Sequence, residues 1–122
     1  MSDGRFAYEG LERVLHEKAR LGIMTSLLSH PEGLLFGDIK ELCSLTDGNL
    51  SRHLQILYQD GLIEMWKGFE NRRPQTLCRL TQAGRERFVA YLQELERVLH
   101  DAARMESEDL TLPGLPPGWV PA

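Results

Sequence analysis

The 122-residue sequence has little of what would assign it to several other classes of protein. Its two cysteines, Cys43 and Cys78, stand far apart and form no Cys-x-x-Cys pair, which argues against a disulfide framework or a metal cluster. No apolar run approaches the roughly 20 residues that a membrane helix requires. No apolar signal segment follows the N-terminus. We therefore expect a cytoplasmic protein of one domain that makes no contact with a membrane.

Sequence patterns of catalysis are missing as well. The four histidines are scattered, and no nucleophile stands in a recognisable pairing with a base. There is no glycine-rich phosphate loop and no Gly-x-Ser-x-Gly elbow. Two Glu–His pairs at helical spacing, Glu12 with His16 and Glu96 with His100, are typical of helix surfaces rather than of metal sites. The sequence therefore predicts no enzymatic activity, no cofactor and no metal ion.

An overall excess of positive charge is also absent, since the formal net charge is −4. The distribution of charge matters more than its sum, because nucleic acid is bound by local basic surface. Residues 49–87 carry seven basic and four acidic side chains, whereas the segments before and after them are acidic. The middle third of the chain is therefore the candidate for contact with DNA.

Hydrophobic periodicity predicts four helices, at about residues 11–29, 37–43, 46–59 and 82–105. A short strand is expected at 34–36, and a β-hairpin over 62–80 with a polar turn at 70–74. The connection at Ser44-Leu45 is tight, and Thr46 and Thr81 are suitable N-caps. This order is mainly α with a small β-hairpin and predicts a winged helix-turn-helix. We divide the chain into a flexible N-terminus (1–10), this domain (11–105) and a proline-rich tail (106–122).

The third predicted helix carries the candidate DNA-reading side chains. With Leu50, Leu54 and Leu57 turned to the core, its polar face can enter a major groove, where arginine, glutamine and asparagine pair with base edges. His53 lies beside the core stripe and is expected to reach DNA only from the helix edge. A solvated polar face without a partner remains the alternative. The candidate residues are Thr46, Asn49, Ser51, Arg52, His53 and Gln55.

The predicted hairpin is basic, with six basic and two acidic side chains between Lys67 and Arg87. Neutralising phosphates supplies much of the affinity for DNA, and a turn that carries two arginines suits that role. A hairpin whose charge only promotes solubility is the alternative. This hairpin is the wing of the predicted winged helix. Its candidate DNA-contacting residues are Lys67, Asn71, Arg72 and Arg73.

The segments Leu45–Leu54 (LTDGNLSRHL), Asp60–Ile63, Arg72–Pro74 and Arg79–Gly84 together resemble winged-helix regulators of the broad ArsR/MarR type, and most closely a compact group with LTDGNLS and RRP signatures. The resemblance covers residues 11–100. It implies a dimeric transcriptional regulator that joins through its first and last helices. It also implies DNA contacts by Ser51, Arg52, His53 and Gln55 on the helix, and by Arg72 and Arg73 on the wing. Metal-sensing members carry a Cys-x-Cys pair near the motif, where this chain has only Cys43, so we predict no metalloid sensing.

Apolar residues at heptad spacing in the last helix predict self-association. The same seam could instead pack within one chain, and both interpretations stay open. A twofold dimer predicts a palindromic site in double-stranded DNA. The candidate dimer residues are Leu11, Leu15, Phe88, Leu92, Leu95 and Leu99.

Three further possibilities remain open at the level of sequence. A small-molecule effector of unknown identity is a potential partner of such a dimer. A winged-helix module for protein–protein interaction, without DNA binding, is the alternative function that the acidic net charge favours. The proline-rich tail is either a disordered extension or a docking segment that buries Trp119 on the protein's body or on a second subunit.

Overall fold

The computed structural model describes residues 4–104 and 112–122. The elements within these two ranges are α1 (Lys18–Leu28), β1 (Leu34–Leu35), α2 (Phe36–Cys43), α3 (Asp47–Gln59), β2 (Ile63–Glu70), β3 (Arg73–Leu80) and α4 (Gln82–Ala103). The three strands of the described residues form an antiparallel sheet in the order β1-β3-β2. The four helices of the same residues accompany the sheet, which confirms the predicted winged-helix architecture of a mainly α chain with a small hairpin. The predicted helix end at Met105 and the tail up to Thr111 lie outside the described residues.

The first helix is shorter than its periodicity predicts, since it begins at Lys18 rather than at Leu11. Glu17 has extended backbone dihedrals, and its carboxylate accepts a hydrogen bond from the Arg20 backbone N–H at 2.9 Å. This cap satisfies one of the free amides of the first turn and sets the start of the helix. The preceding residues form turns, with the Leu15 N–H donating to the Glu12 carbonyl at 3.0 Å.

The core lies between the inner faces of the helices and one face of the sheet. The stripe predicted on α3 is confirmed, because Leu50, Leu54 and Leu57 are all buried. Side chains from all four helices, from the sheet and from the segment before α1 complete this core. Its fully or almost fully buried apolar members are Leu15, Ile23, Met24, Leu27, Ile39, Leu50, Leu54, Leu57, Leu62, Ile63, Cys78, Phe88 and Tyr91.

The tight connection predicted between α2 and α3 is confirmed. Ser44 adopts a left-handed conformation (φ 52°, ψ 50°) that ends α2, and the Leu45 N–H donates to the Lys40 carbonyl at 3.1 Å. Two residues later, the Thr46 hydroxyl accepts a hydrogen bond from the Asn49 N–H at 3.2 Å and caps α3. Capping on both sides of a short turn fixes the start of α3 relative to α2.

The hairpin turn has two residues, Asn71 and Arg72, and is shorter than the predicted turn at 70–74. Both residues have positive φ (50° and 66°), as a type I′ turn requires, and this turn type matches the twist of antiparallel strands. Arg73 and Pro74 therefore belong to β3, where Pro74 pairs with Phe69. The proline lies near the outer end of the hairpin.

The segment before α1 lies along α4. The Tyr8 hydroxyl donates to the Asp101 carboxylate at 2.7 Å, and the Gly10 N–H donates to the Glu94 carboxylate at 2.8 Å. Residues 4–10, which the sequence predicts to be flexible, are thus placed against a helix that is about 33 Å long by its residue count. Within the described ranges, no helix combines the length and the apolar character needed to cross a lipid bilayer.

Candidate nucleic-acid interface

The outer face of α3 presents polar side chains to solvent. Asn49, Ser51, Arg52 and Gln55 are all exposed, opposite the buried leucine stripe. The Arg52 guanidinium lies 3.4 Å from the Asn49 side-chain oxygen, one helical turn away. This pairing holds a donor fork and an amide side by side at the N-terminal end of the helix. Such a pair can meet the edges of neighbouring base pairs.

Thr46, the first of the predicted DNA-reading residues, has a structural task in the free protein. Its side-chain oxygen accepts the Asn49 N–H and is therefore turned toward its own helix. Thr46 is exposed, so its hydroxyl proton stays available to a phosphate oxygen. The residue thus combines a confirmed capping role with a DNA contact that remains a prediction.

His53 does not join the exposed face, and its prediction as a DNA contact is corrected here. The side chain is 6% exposed and lies between two residues of the α1 region. Its Nδ1 is 3.2 Å from an Arg20 guanidinium nitrogen, and its Nε2 is 3.6 Å from the Glu17 carboxylate. Because arginine is only a donor, Nδ1 accepts, and the ring proton of the neutral form sits on Nε2 facing Glu17. His53 therefore joins α3 to α1 and has little surface left for DNA.

The same contact shapes the electrostatics of Glu17. Burial acts to raise the pKa of this carboxyl group, but the hydrogen bond from the Arg20 N–H and the attraction of His53 outweigh it. The net result is a pKa below the ordinary glutamate value. Glu17 is accordingly held ionised at the junction of α1 and α3, where it caps one helix and faces a histidine of the other.

The tip of the wing carries its charge outward. Arg72 occupies the left-handed turn, Arg73 is the first residue of β3, and both are exposed. No ion pair involves either side chain within residues 4–104 and 112–122. Further along the hairpin, the Lys67 ammonium donates to the Thr76 hydroxyl at 2.9 Å and is also exposed. These three cations can reach phosphates at little cost in broken contacts.

Two other basic residues of the 67–87 segment are engaged within the fold. Arg79 forms an ion pair with Glu64 across the two long strands. The guanidinium of Arg87 contacts the carboxylates of Glu12 at 2.7 Å and Asp60 at 2.6 Å. The sequence count of six basic residues therefore overstates the charge that the hairpin region can offer to DNA.

Tyr58 is an exposed residue that the sequence reasoning missed. It follows Ser51 and Gln55 at i+7 and i+3, so the three share one side of α3, and its side chain is 48% exposed. The signal that could have found it is this spacing. The sequence prediction considered only the polar residues of this helix. Tyrosine is aromatic, but it carries a hydroxyl that can contact a sugar-phosphate chain.

Beside this face, a groove of about 850 Å³ runs between α1 and the N-terminal end of α3. Asn49 and Arg52 contribute to its lining, as does the half-buried thiol of Cys43. Burial raises the pKa of Cys43, against a weaker opposing effect of the Ser26 hydroxyl, so the thiolate is disfavoured. The groove has room for a small molecule, and the effector named above stays a prediction.

The six residues predicted for the dimer interface separate into two groups. Leu15 and Phe88 are fully buried inside one chain, so the prediction is corrected for them: they have no surface left for a partner. Leu11, Leu92 and Leu95 are partly buried, and Leu99 is 65% exposed. The apolar stripe of α4 thus fills the chain's own core at its start and extends beyond that core toward its end.

Comparison with known proteins decides the family of this fold. Residues 19–99 match the family described as a winged helix DNA-binding domain. The chain belongs to the winged-helix DNA-binding domain family. This match confirms the resemblance to winged-helix regulators that residues 45–84 carry, and it contains α3 and the entire hairpin.

Individual relatives agree with this assignment. The winged-helix chain is 34% identical over 83 residues to an uncharacterized protein of Methanocaldococcus jannaschii, an alignment that covers 68% of the chain and 89% of the relative. It is similar to a transcriptional regulator homologue from Pyrococcus horikoshii, with 32% identity, a TM-score of 0.70 and coverage of 75% and 90% of the two chains. A MarR-family transcriptional regulator from Silicibacter pomeroyi shares the fold, with 19% identity, a TM-score of 0.57 and coverage of 83% and 69%.

Proposed function

We propose that this winged-helix protein is a cytoplasmic transcriptional regulator that binds a palindromic operator in double-stranded DNA as a homodimer. The observation that carries the proposal is the exposed polar face of α3, where Arg52 and Asn49 lie together opposite the buried leucine stripe. A helix capped at its start and packed from behind can be inserted into a major groove as a rigid body.

The residues of this interface form two groups with different roles in DNA binding. Asn49, Ser51, Arg52 and Gln55 read base edges, because their side chains are exposed donors and acceptors on one helix face. Lys67, Asn71, Arg72 and Arg73 hold the sugar-phosphate chain from the wing, because cations at an exposed hairpin tip contact phosphates without regard to sequence. Tyr58 joins the second group at the end of α3.

Association of two copies gives the DNA-binding surface, and therefore the operator, a twofold symmetry. The apolar stripe of α4 continues past the core to Leu99, and a second copy of α4 would cover it. A twofold dimer of this kind places two copies of α3 about 34 Å apart, one turn of DNA, so the operator is expected to read the same on both strands.

The experiment starts with selection of binding sites from a random DNA pool by the purified full-length protein. Fluorescence anisotropy then measures the affinity of three proteins for the selected site. They are the wild type, the double variant Arg52→Ala/Gln55→Ala, and Arg97→Ala. Arg97 is an exposed arginine of α4 that pairs with Glu94, so it controls for loss of one positive charge. We expect the double variant to lose about 1–3 kcal/mol for each base contact removed and to relax the selected sequence.

The control variant should bind within about twofold of the wild type, since a charge remote from the interface is screened within about 10 Å. Enrichment of no sequence, together with no binding to any duplex at low salt, would contradict the proposal. It would favour the alternative of a protein–protein interaction module.

A further inference from the structure

Gly48 is an exposed glycine in the first turn of α3 that the fold does not require. Its φ is not positive, and a Cβ atom built at this position would meet nothing within 4 Å. Gly33 is the contrast, since its φ is 104° and a Cβ atom there would lie 2.8 Å from the Cys78 carbonyl oxygen. Inside a helix, alanine is more favourable than glycine. The contacts of the chain itself therefore do not explain the glycine at position 48.

The position of Gly48 on α3 supplies an explanation. At about 100° per residue, Gly48 lies opposite Leu57 and nearly opposite Leu50, so it is at the centre of the exposed polar face. Arg52 follows one turn later, and Gln55 follows two turns later along the same side of the helix. The N-terminal residues of a recognition helix are those that contact base edges. A helix that enters the major groove in this way turns Gly48 toward the floor of the groove.

The side chains on either side of Gly48 are short. Asn49 and Ser51 lie on its two flanks, about 100° and about 60° away around the helix axis. A serine hydroxyl is attached directly to Cβ, and an asparagine amide lies one carbon beyond it. Both residues can therefore reach base edges only if the backbone of α3 lies close to the bases. A side chain at position 48 would stand between that backbone and the bases and would hold the helix away.

The acidic residue next to Gly48 is paired within the protein. The Lys40 ammonium group of α2 lies 3.0 Å from the Asp47 carboxylate. A neighbouring cation offsets the repulsion between a carboxylate and the phosphates of DNA. Charge thus does not oppose a close approach of DNA to the first turn of α3.

We propose that Gly48 is the point at which the backbone of α3 comes closest to the bases, and that its missing side chain allows Asn49 and Ser51 to read them. Proteins use glycine where their backbone closely approaches a ligand. Gly48 is therefore a specificity-determining residue of the operator contact, although it contributes no side chain. The inference rests on the proposed function, to which it adds a steric requirement.

Three full-length variants test this requirement: Gly48→Ala, Gly48→Leu and the control Gly37→Ala. Gly37 matches Gly48 because it is the second residue of its helix, is exposed and has open space for a Cβ atom. Fluorescence anisotropy measures the affinity of each variant for the selected operator and for a duplex of unrelated sequence. We expect Gly48→Ala to bind the operator about tenfold more weakly, the equivalent of one lost base contact, and Gly48→Leu to bind more weakly still. Gly37→Ala should bind within about twofold of the wild type, because it removes no contact from the surface of α2.

The unrelated duplex separates the depth of insertion from a general loss of DNA binding. Non-specific binding depends on phosphates, so all three variants should bind unrelated DNA as the wild type does. Urea unfolding should show that both Gly48 variants are at least as stable as the wild type, since alanine and leucine are better helix formers than glycine. An equal loss of affinity for both duplexes, or a lower stability, overturns the inference.

The comparison of alanine with leucine separates a steric effect from a loss of backbone freedom. The two residues have similar helix propensities, so rigidity alone would weaken operator binding equally in both Gly48 variants. Equal losses, no loss in either variant, or the same loss with Gly37→Ala overturn the inference and leave the proposed regulator intact. A wild type that binds no duplex at all overturns the proposed function, and this inference with it.

Discussion

Gly84 lies so close to Leu62 that a Cβ atom at position 84 would stand 1.9 Å from the Leu62 carbonyl oxygen. The same carbonyl accepts the Thr81 N–H at 3.1 Å. Thr81 in turn caps α4 by accepting the Gly84 N–H at 2.9 Å and donates its hydroxyl proton to the Gly61 carbonyl at 2.7 Å. The start of α4 is thereby fixed against the segment that leads from α3 into the wing, and only glycine permits this approach.

Gly84→Ala is therefore expected to destabilise the protein by about 3 kcal/mol or more, because the backbone of either Leu62 or α4 must move. Glycine-to-alanine changes inside helices usually stabilise by about 0.5–1 kcal/mol, so the sign of the effect is diagnostic. Urea unfolding followed by circular dichroism measures it. Gly37→Ala, which meets open space on α2, is the matched control and should not destabilise the protein. Equal stability of the two variants would contradict the close approach.

The wing arginines are expected to set the salt dependence of DNA binding. Arg72→Asn with Arg73→Gln removes two cations, and asparagine tolerates the left-handed turn at position 72. Each lost phosphate contact should reduce the slope of log K against log salt by about 0.9, so the double variant should be shallower by about two units. Titrations between low and physiological salt give the slope.

His53→Gln tests the corrected role of the histidine in the same titration. It disturbs the contacts with Arg20 and Glu17, so we expect a loss of about 1–3 kcal/mol in unfolding free energy. For the folded protein, the slope of log K for DNA binding against log salt should match that of the wild type, because no phosphate contact is removed. A slope that falls by about one unit would restore His53 to the DNA interface.

The pKa of Glu17 predicts how the stability depends on pH. Its pKa is lower in the folded protein than in the unfolded chain, so the ionised group stabilises the fold above the unfolded-state pKa. This contribution is lost in acid, as the pH falls below the ordinary glutamate pKa and through the lower folded-state pKa. Glu17→Gln should therefore be less stable than the wild type at neutral pH, and the difference should shrink in acid. A difference that is constant with pH would contradict the prediction.

Leu99→Glu is expected to weaken self-association while leaving the chain folded. Leu99 is 65% exposed at the end of the α4 stripe, so a charge there disturbs a dimer seam but not the core. Gel filtration with light scattering compares its dissociation with that of Gln93→Glu, which adds the same charge at an exposed position off the stripe. If both variants dissociate equally, the stripe is not the interface.

Much of the architecture follows from local sequence. The Thr46 cap, the leucine stripe of α3 and the tight Ser44-Leu45 turn were predictable because each depends on residues within a few positions of one another. The exposure of Asn49, Ser51, Arg52 and Gln55 follows from the same periodicity once the inner face is known. The β-hairpin was predictable from its strand patterns, but the length of its turn was not. Arg72 adopts a left-handed conformation that arginine seldom takes, so its residue type does not predict this turn.

What the tertiary structure decided concerns contacts between distant parts of the chain. His53 looks like a recognition residue in its helix, but Glu17 and Arg20, more than thirty positions earlier, enclose it. Arg87 is basic in the sequence yet lies between Glu12 and Asp60. Leu15 and Phe88 were both predicted to lie in the dimer interface, but their side chains are fully buried in the core of one chain. Periodicity tells which side of a helix is apolar, whereas only packing tells whether the chain itself or a second copy covers it.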